Sequence, residues 1–342
     1  MEKRNRVIMK KSSYIARALV ASAAAVSLVA LAGCASGSSG DNGGSDEGGA
    51  DTIRIVTSVS NSVPYIVLQA ADKIGVFDDT DLNVELVQGT TPTIGQILAG
   101  GQADVALADG PTLYATIAQG LPATIVAAND LEWDTRFIVG ANSDVQSVED
   151  LKGANFGITG RGGPGDYSIA KLANELGWTE EDYEATTLKD LPSIMAALDS
   201  GAIDAFPWGS DVGIKMETAG TGRILAKASD YVGPNVFHGY SASNEYIENH
   251  SDALKEFFEV YFAAVERVQD DKELLVGIMV DDWDIDPEAA EAIFDEGAFQ
   301  RISTDGVIGE ENLKGMADAA AFALEDESVK DGEAPYTYWK DL

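Results

Sequence analysis

Gln96-Ile-Leu-Ala-Gly-Gly-Gln-Ala-Asp104 and, further along, Met195-Ala-Ala-Leu-Asp-Ser-Gly-Ala-Ile-Asp204 share one shape. In each, an apolar helical turn ends in glycine, and then a small residue, an Asp and an apolar strand follow. Outward from the first copy, Ile53–Thr57, Leu82–Val87, Ala103–Leu107 and Ala123–Ala128 read as strands. Pro64–Ile74, Pro92–Ala99 and Pro111–Gln119 read as the helices between them, with proline in the first turn and glycine past the end. Around the second copy the rhythm restarts. Asn155–Thr159, Tyr183–Thr187, Ile203–Phe206 and Arg223–Leu225 read as strands, and Asp166–Leu176 as a helix. Asp190 caps a helix running to Leu198, and Ser210 caps another. Strands spaced by crossover helices imply a parallel sheet. Two rounds of that rhythm imply two α/β lobes.

Beyond Ser243 the pattern turns helical, over 251–268, 271–280, 287–294 and 310–324. The order predicts a discontinuous first lobe, 52–136 plus 243–342, and a second lobe, 137–242. The chain would cross near 137–144, return near 235–242, and lay its C-terminal helices on the first lobe. Two crossings make a hinge with a cleft, and open α/β sheets take ligands at the carboxyl ends of their strands.

Residues 1–33 hold six basic residues and one acid, and Ala18–Ala32 is apolar but shorter than the ~20 residues that span a bilayer. This is a secretory signal. Leu31-Ala-Gly-Cys34 resembles a bacterial lipobox, in which Cys34 would carry lipid; the alternative is a free cysteine after an ordinary signal. Residues 34–51, rich in Gly, Ser and acids, cannot bury apolar surface and read as a tether. After residue 33 the chain has 17 basic and 56 acidic residues, a balance of −39, which repels phosphate backbones and argues against nucleic acid as partner. A single cysteine excludes a disulfide framework, a Cys-ligated zinc site and an iron–sulfur cluster.

The Pro64-Tyr65, Gly75-Val-Phe77, Val84-Glu85 and Gly101-Gln-Ala-Asp-Val-Ala106 segments, with Val148-Glu-Asp-Leu-Lys-Gly153, Gly157-Ile-Thr159 and Gly201-Ala-Ile-Asp-Ala205, resemble the sulfonate/nitrate/taurine binding-protein superfamily. That superfamily includes binders of the thiamine pyrimidine precursor and the fungal pyrimidine synthases. The resemblance covers about 52–240. It implies a two-lobed periplasmic-binding-protein (type II) α/β fold with two three-layer lobes. It also implies a lipid-anchored extracytoplasmic receptor of an ABC importer, with a permease and an ATPase as partners and the membrane reached only through the anchor. A monomer without cofactor or metal is expected. The motifs are turn and packing residues, so they leave the solute open.

Ligand contacts are sought just past strand ends. After the first strand stand Ser58, Ser60, Asn61, Ser62 and Tyr65, a polar cradle with a stacking face, although Ser62 is equally placed to cap a helix. Thr90 follows the second strand. Asp109 follows the third, where capping is the commoner role. In Thr159-Gly-Arg-Gly-Gly-Pro-Gly165, glycine amides and Arg161 could clamp an anion at a helix start, with Thr159 and Gly162 beside it; a solvated turn is the alternative. Asp190, Trp208 and Asp211 lie at further strand-to-helix turns; Trp208 and Trp133 could equally be core. Arg161 points to a small organic anion, while Asp109 and Asp211 point to an amine; the anion is the first expectation and a heteroaromatic such as the thiamine pyrimidine precursor the second. His238 and His250 read as far from these candidates. The synthase class would need a cysteine-containing iron motif with a reactive His and Lys, and no thiol other than Cys34 exists, so catalysis is not expected. An adhesin would not need a duplicated lobe.

Overall fold

The computed structural model describes residues 51–58, 61–90, 93–332 and 335–342. The signal at 1–33, Cys34, the tether through residue 50, and Ser60 lie outside the described residues.

The first round of alternation folds as β1 (Asp51–Thr57), α1 (Ile66–Lys73), β2 (Leu82–Gln88), α2 (Ile94–Ala99), β3 (Val105–Asp109), α3 (Gly110–Ala118) and β4 (Ala123–Asp130). The second gives β5 (Thr135–Gly140), β6 (Asn155–Ile158), α4 (Pro164–Glu175), β7 (Glu184–Thr187), α5 (Leu191–Asp199), β8 (Ala205–Gly209), α6 (Ser210–Thr218), β9 (Gly222–Lys227) and α7 (Ser229–Val232). Then follow β10 (His238–Ser243), α8 (Asn244–Val268), α9 (Lys272–Asp281), α10 (Pro287–Asp295) and α11 (Glu310–Leu324). Among the described residues the strands form two sheets, ordered β2-β1-β3-β10-β4 and β7-β6-β8-β5-β9.

The repeated motif has one structural job. Asp104 receives the Arg54 amide at 2.9 Å and returns its own amide to the Arg54 carbonyl; Asp204 does the same with Asn155, at 2.8 Å. Asp104 thus ties the start of β3 to β1, and Asp204 the start of β8 to β6. Gly101 and Gly201, with φ of +63° and +70°, make the turn that lets the preceding helix end there, a conformation that costs other residues about 1 kcal/mol or more.

The wholly parallel sheet expected from the rhythm is corrected in one respect. Each sheet contains an antiparallel strand delivered by the other lobe, β10 in the first and β5 in the second. Such a strand enters straight from a crossing and needs no crossover helix, so it runs against its neighbours. Phe137–Val139 therefore belongs inside the second sheet, and 238–242 inside the first. The crossings fall at 131–134 and 233–237, earlier than the apolar pattern placed them.

Both sheets are covered on two faces, because successive strand residues point to opposite sides. Ile53 and Ile55 pack with α1 and with Leu254, Phe257, Phe258 and Tyr261 of α8. Val56 and Ala106, facing the other way, pack with Leu113, Met316 and Ala320 of α3 and α11. Phe137 and Val139 meet Ile169 and Leu172 of α4, whereas Ile138 meets Ile194, Val212 and Met216 of α5 and α6. The C-terminal helices lie on the first sheet and also touch the second lobe. Asp318 of α11 receives the Tyr167 hydroxyl at 2.6 Å and the Lys171 ammonium of α4, while Lys330 adds a contact at 2.7 Å.

Burial tends to raise the Asp318 pKa, but its three donors outweigh it and hold the carboxyl well below the usual range. A depressed carboxylate adds stability above its unfolded value and loses it as pH falls through the folded one. Asp318→Asn is therefore expected to cost about 1–3 kcal/mol at pH 7. Urea unfolding should show that gap constant down to the ordinary value of 3.8 and narrowing below it. A gap independent of pH would place the contribution in packing instead.

Candidate functional site

The carboxyl ends of β1, β3 and β4 lie at one edge of the first sheet, and β10 inserts between β3 and β4 in the opposite direction. Its first residue, His238, thereby comes into register with Asp109 on one side and Asp130 on the other. His238 Nδ1 is 3.0 Å from Asp130 Oδ2, and its ring stands edge-on to Tyr65 (5.7 Å) and to Phe237 (4.4 Å). Tyr65 is buried, with its hydroxyl 2.9 Å from Ser58 Oγ. Asp109 accepts the Thr112 amide at 3.0 Å and so caps α3 from within the cluster. Asn129 donates to the Pro64 carbonyl and accepts from the Tyr261 hydroxyl, 2.9 and 2.7 Å, which holds the end of β4 rigid. The other oxygen of Asp130, Oδ1, is buried without a hydrogen-bond partner among the described residues.

The first crossing adds an ionic group. Asp134 receives Ser210 Oγ at 2.8 Å and forms ion pairs with Arg301 at 2.8 Å and Arg136 at 3.2 Å. Arg136 is wholly buried, and Glu296 stands 3.6 Å from it. Trp133, buried within the crossing, donates to Ser168 Oγ at 2.8 Å and packs against Tyr167 and Phe237. The pKa directions follow from this crowding. Burial raises Asp134 despite both guanidiniums and Ser210. Burial also disfavours the charged imidazole of His238, yet Asp130, Asp109 and Asp134 outweigh it and raise that group. Burial raises the Tyr65 phenol and keeps it protonated.

Of the residues nominated from sequence, Tyr65 and Asp109 share this cluster. Asn61 is exposed, and Ser62 precedes a short 3-10 turn without a side-chain cap. Thr90 hydrogen-bonds Thr93 in its own turn. Asp190 caps α5 through the Ser193 amide and hydroxyl, which lower its pKa. Trp208 is half-buried in β8 opposite Arg136, and Asp211 pairs with Lys215 at 3.0 Å. Thr159 is exposed. In the glycine-rich turn, Asp166 occupies the place of an anion: Arg161 Nη1 lies 3.1 Å and the Gly162 amide 2.9 Å from its carboxylate. Arg161 and Gly162 line a hollow of about 910 Å³ shared with the end of α11, where Gly162 (φ +75°) faces the Ala323 backbone too closely for any side chain.

The reading of His238 as remote is corrected. The chain returns to the first sheet at that residue, which no local pattern announces. Asp130, Asp134, Arg136, Ser210 and Arg301 were not nominated. The signal that could have found the first three is the polar run Asn129-Asp-Leu-Glu-Trp-Asp-Thr-Arg136, which interrupts two apolar strands.

Two α/β sheets joined by paired crossings, each lending a strand to the other, with polar groups gathered at the strand ends, define the periplasmic-binding-protein fold. The chain belongs to the NMT1/THI5-like family, whose model matches residues 61–273. A thiamine biosynthesis protein of Haemophilus influenzae is 27% identical over 142 residues, 41% of this chain and 44% of that protein, so the match spans less than half of that relative. The periplasmic aliphatic sulphonate-binding protein of Escherichia coli superposes with a TM-score of 0.69 at 16% identity, covering 80% of this chain and 87% of that one. The alkanesulfonate-binding protein of Xanthomonas axonopodis pv. citri, solved with MOPS, gives 0.61 at 16% identity, covering 80% and 92%. At such identities the likeness establishes the fold alone.

Proposed function

We propose that this protein is the extracytoplasmic solute-binding receptor of an ABC importer, and that its solute is a small nitrogen heteroaromatic with N–H donors, of the thiamine-pyrimidine kind. In this reading, Cys34 is the lipid anchor, the receptor acts as a monomer without catalysis, and two lobes close on the solute and dock on a permease pair driven by an ATPase. The observation that carries the solute class is the state of the charged groups. The protein's own carboxylates already occupy the anion-binding ones, Arg161 by Asp166 and the pair Arg136 and Arg301 by Asp134. Asp130 Oδ1 instead stays buried and unpartnered beside the rings of Tyr65 and His238. A buried acceptor among aromatic edges suits a flat ligand with N–H groups, and an unsatisfied one left so costs about 1–3 kcal/mol. The thiamine-related relative and the family's range support the same choice.

An organic sulfonate is the second reading, favoured by the exposure of Arg161 in its hollow. Thermal unfolding with 4-amino-5-hydroxymethyl-2-methylpyrimidine, taurine, an alkanesulfonate and nitrate separates the two. The pyrimidine is expected to raise Tm, with about 2.7 kcal/mol of stabilisation at a hundredfold excess over Kd. Arg161→Ala should leave its affinity within about fivefold, because a surface ion pair contributes at most about 1 kcal/mol. Stabilisation by a sulfonate that Arg161→Ala abolishes would select the second reading, and no shift with any solute would remove the receptor.

A further inference from the structure

The strand-end cluster has an uneven charge inventory. Asp109, Asp130 and Asp134 are all buried, against two guanidiniums, Arg136 and Arg301. Glu296 beside Arg136 is matched by Lys227 at 3.4 Å and adds no net charge, so with His238 neutral the group carries one negative charge too many and with His238 protonated it balances. Uncompensated charge in a buried site is expensive, so something positive must sit there. His238 is placed to supply it, with Nδ1 on Asp130 Oδ2. That leaves Asp130 Oδ1 buried and without a hydrogen-bond partner among the described residues.

We propose that Asp130 is the residue that selects a cationic solute, and that His238 lends the site its positive charge while no solute is present, so that capture of a cation expels a proton from His238. The proposal rests on the receptor reading and adds to it a charge class and a proton linkage. Before capture, the imidazolium donates Nδ1–H to Asp130 Oδ2. On capture the solute's N–H group takes Oδ1, the imidazole keeps its Nδ1–H bond, and the Nε2 proton passes to solvent. No other bond is made or broken. Two positive charges would otherwise share one carboxylate at about hydrogen-bond distance, a repulsion of a few kcal/mol at the effective dielectric of a protein. The groups that face His238 are Asp130 from β4, Asp109 from β3, Asp134 from the crossing and the Tyr65 ring from the turn after β1. Arg136 and Arg301 act on it through Asp134. Opposing the acids is burial, which favours the neutral imidazole. The balance raises the group, so its imidazolium adds stability below the ordinary value of 6.5 and loses it as pH rises through the folded one.

The chain has only two histidines, so a His250→Gln variant leaves His238 as the sole imidazole. His250 lies on α8, stacked on Tyr246 and away from the cluster. In that variant, imidazole 15N shifts followed by NMR should show His238 charged near pH 6 without solute and turning neutral when 4-amino-5-hydroxymethyl-2-methylpyrimidine saturates. Asp130→Asn should lower the His238 titration midpoint by about one unit or more and weaken the pyrimidine by at least about tenfold. Binding that leaves the His238 charge unchanged would overturn the proton exchange while sparing the receptor. A His238 that is neutral at pH 6 without solute would do the same. Absence of binding by the pyrimidine would overturn the proton exchange together with the heteroaromatic solute class.

Discussion

Replacing Asp134 with Ala is expected to lower stability by about 3–5 kcal/mol and Tm by roughly 10 °C. Among the described residues, Asp134 is the one carboxylate within 3.2 Å of Arg136, whose side chain has no exposed surface and whose Nε and Nη2 make no hydrogen bonds. Without it, the nearest acid to Arg136 is Glu296 at 3.6 Å, a third exposed and shared with Lys227. A guanidinium left buried and unpaired keeps nearly the whole cost of its lost hydration. The charge, rather than the shape, is at issue, so Asp134→Ala combined with Arg136→Met should recover most of the loss, because Arg301 is partly exposed and can turn to solvent. Denaturant unfolding of the two variants decides it. A single variant within 1 kcal/mol of the wild type, or a double variant no better than the single, would show that the pair does not carry this energy.

Gly315→Ala should have a comparable effect for a steric reason. A Cβ there would lie 2.0 Å from the Pro234 carbonyl oxygen, and one at Gly110 would lie 2.3 Å from that of Val236. Helices α11 and α3 thus grip the returning crossing from two sides, with the Gly110 amide donating to the Phe237 carbonyl at 3.0 Å. Overpacking against side chains costs about 1–3 kcal/mol, and a backbone carbonyl has less room to yield. Movement of 234–237 also carries His238 away from Asp130, so loss of solute binding should exceed what the loss of stability explains. Gly277→Ala in α9, where nothing lies within 4 Å, is the comparison and should stabilise by about 0.5–1 kcal/mol. Equal melting temperatures for the two variants would refute the grip.

Much of the architecture was legible because it rests on local periodicity. The Asp104 and Asp204 repeats marked equivalent places in two lobes, and the structure gives them the same backbone bonds, to β1 and to β6. The anion seat at Arg161 was legible as chemistry but not as occupancy. Its carboxylate, Asp166, comes from the chain itself, and only the left-handed turn at Gly162 brings the two together. The antiparallel strands were misplaced because Phe137–Val139 and 238–242 look the same whether they leave one sheet or enter the other.

The order of residues along this chain decided its strands, its helices, the faces they bury and the glycines that end them, since each depends on neighbours a few positions away. Which acids share one buried neighbourhood was decided only by strand order. Asp109, Asp130 and His238 meet because β10 arrives from the other lobe and lies between β3 and β4. Charge interactions depend on distance and on exclusion of water, and neither quantity exists until the sheet has closed around them.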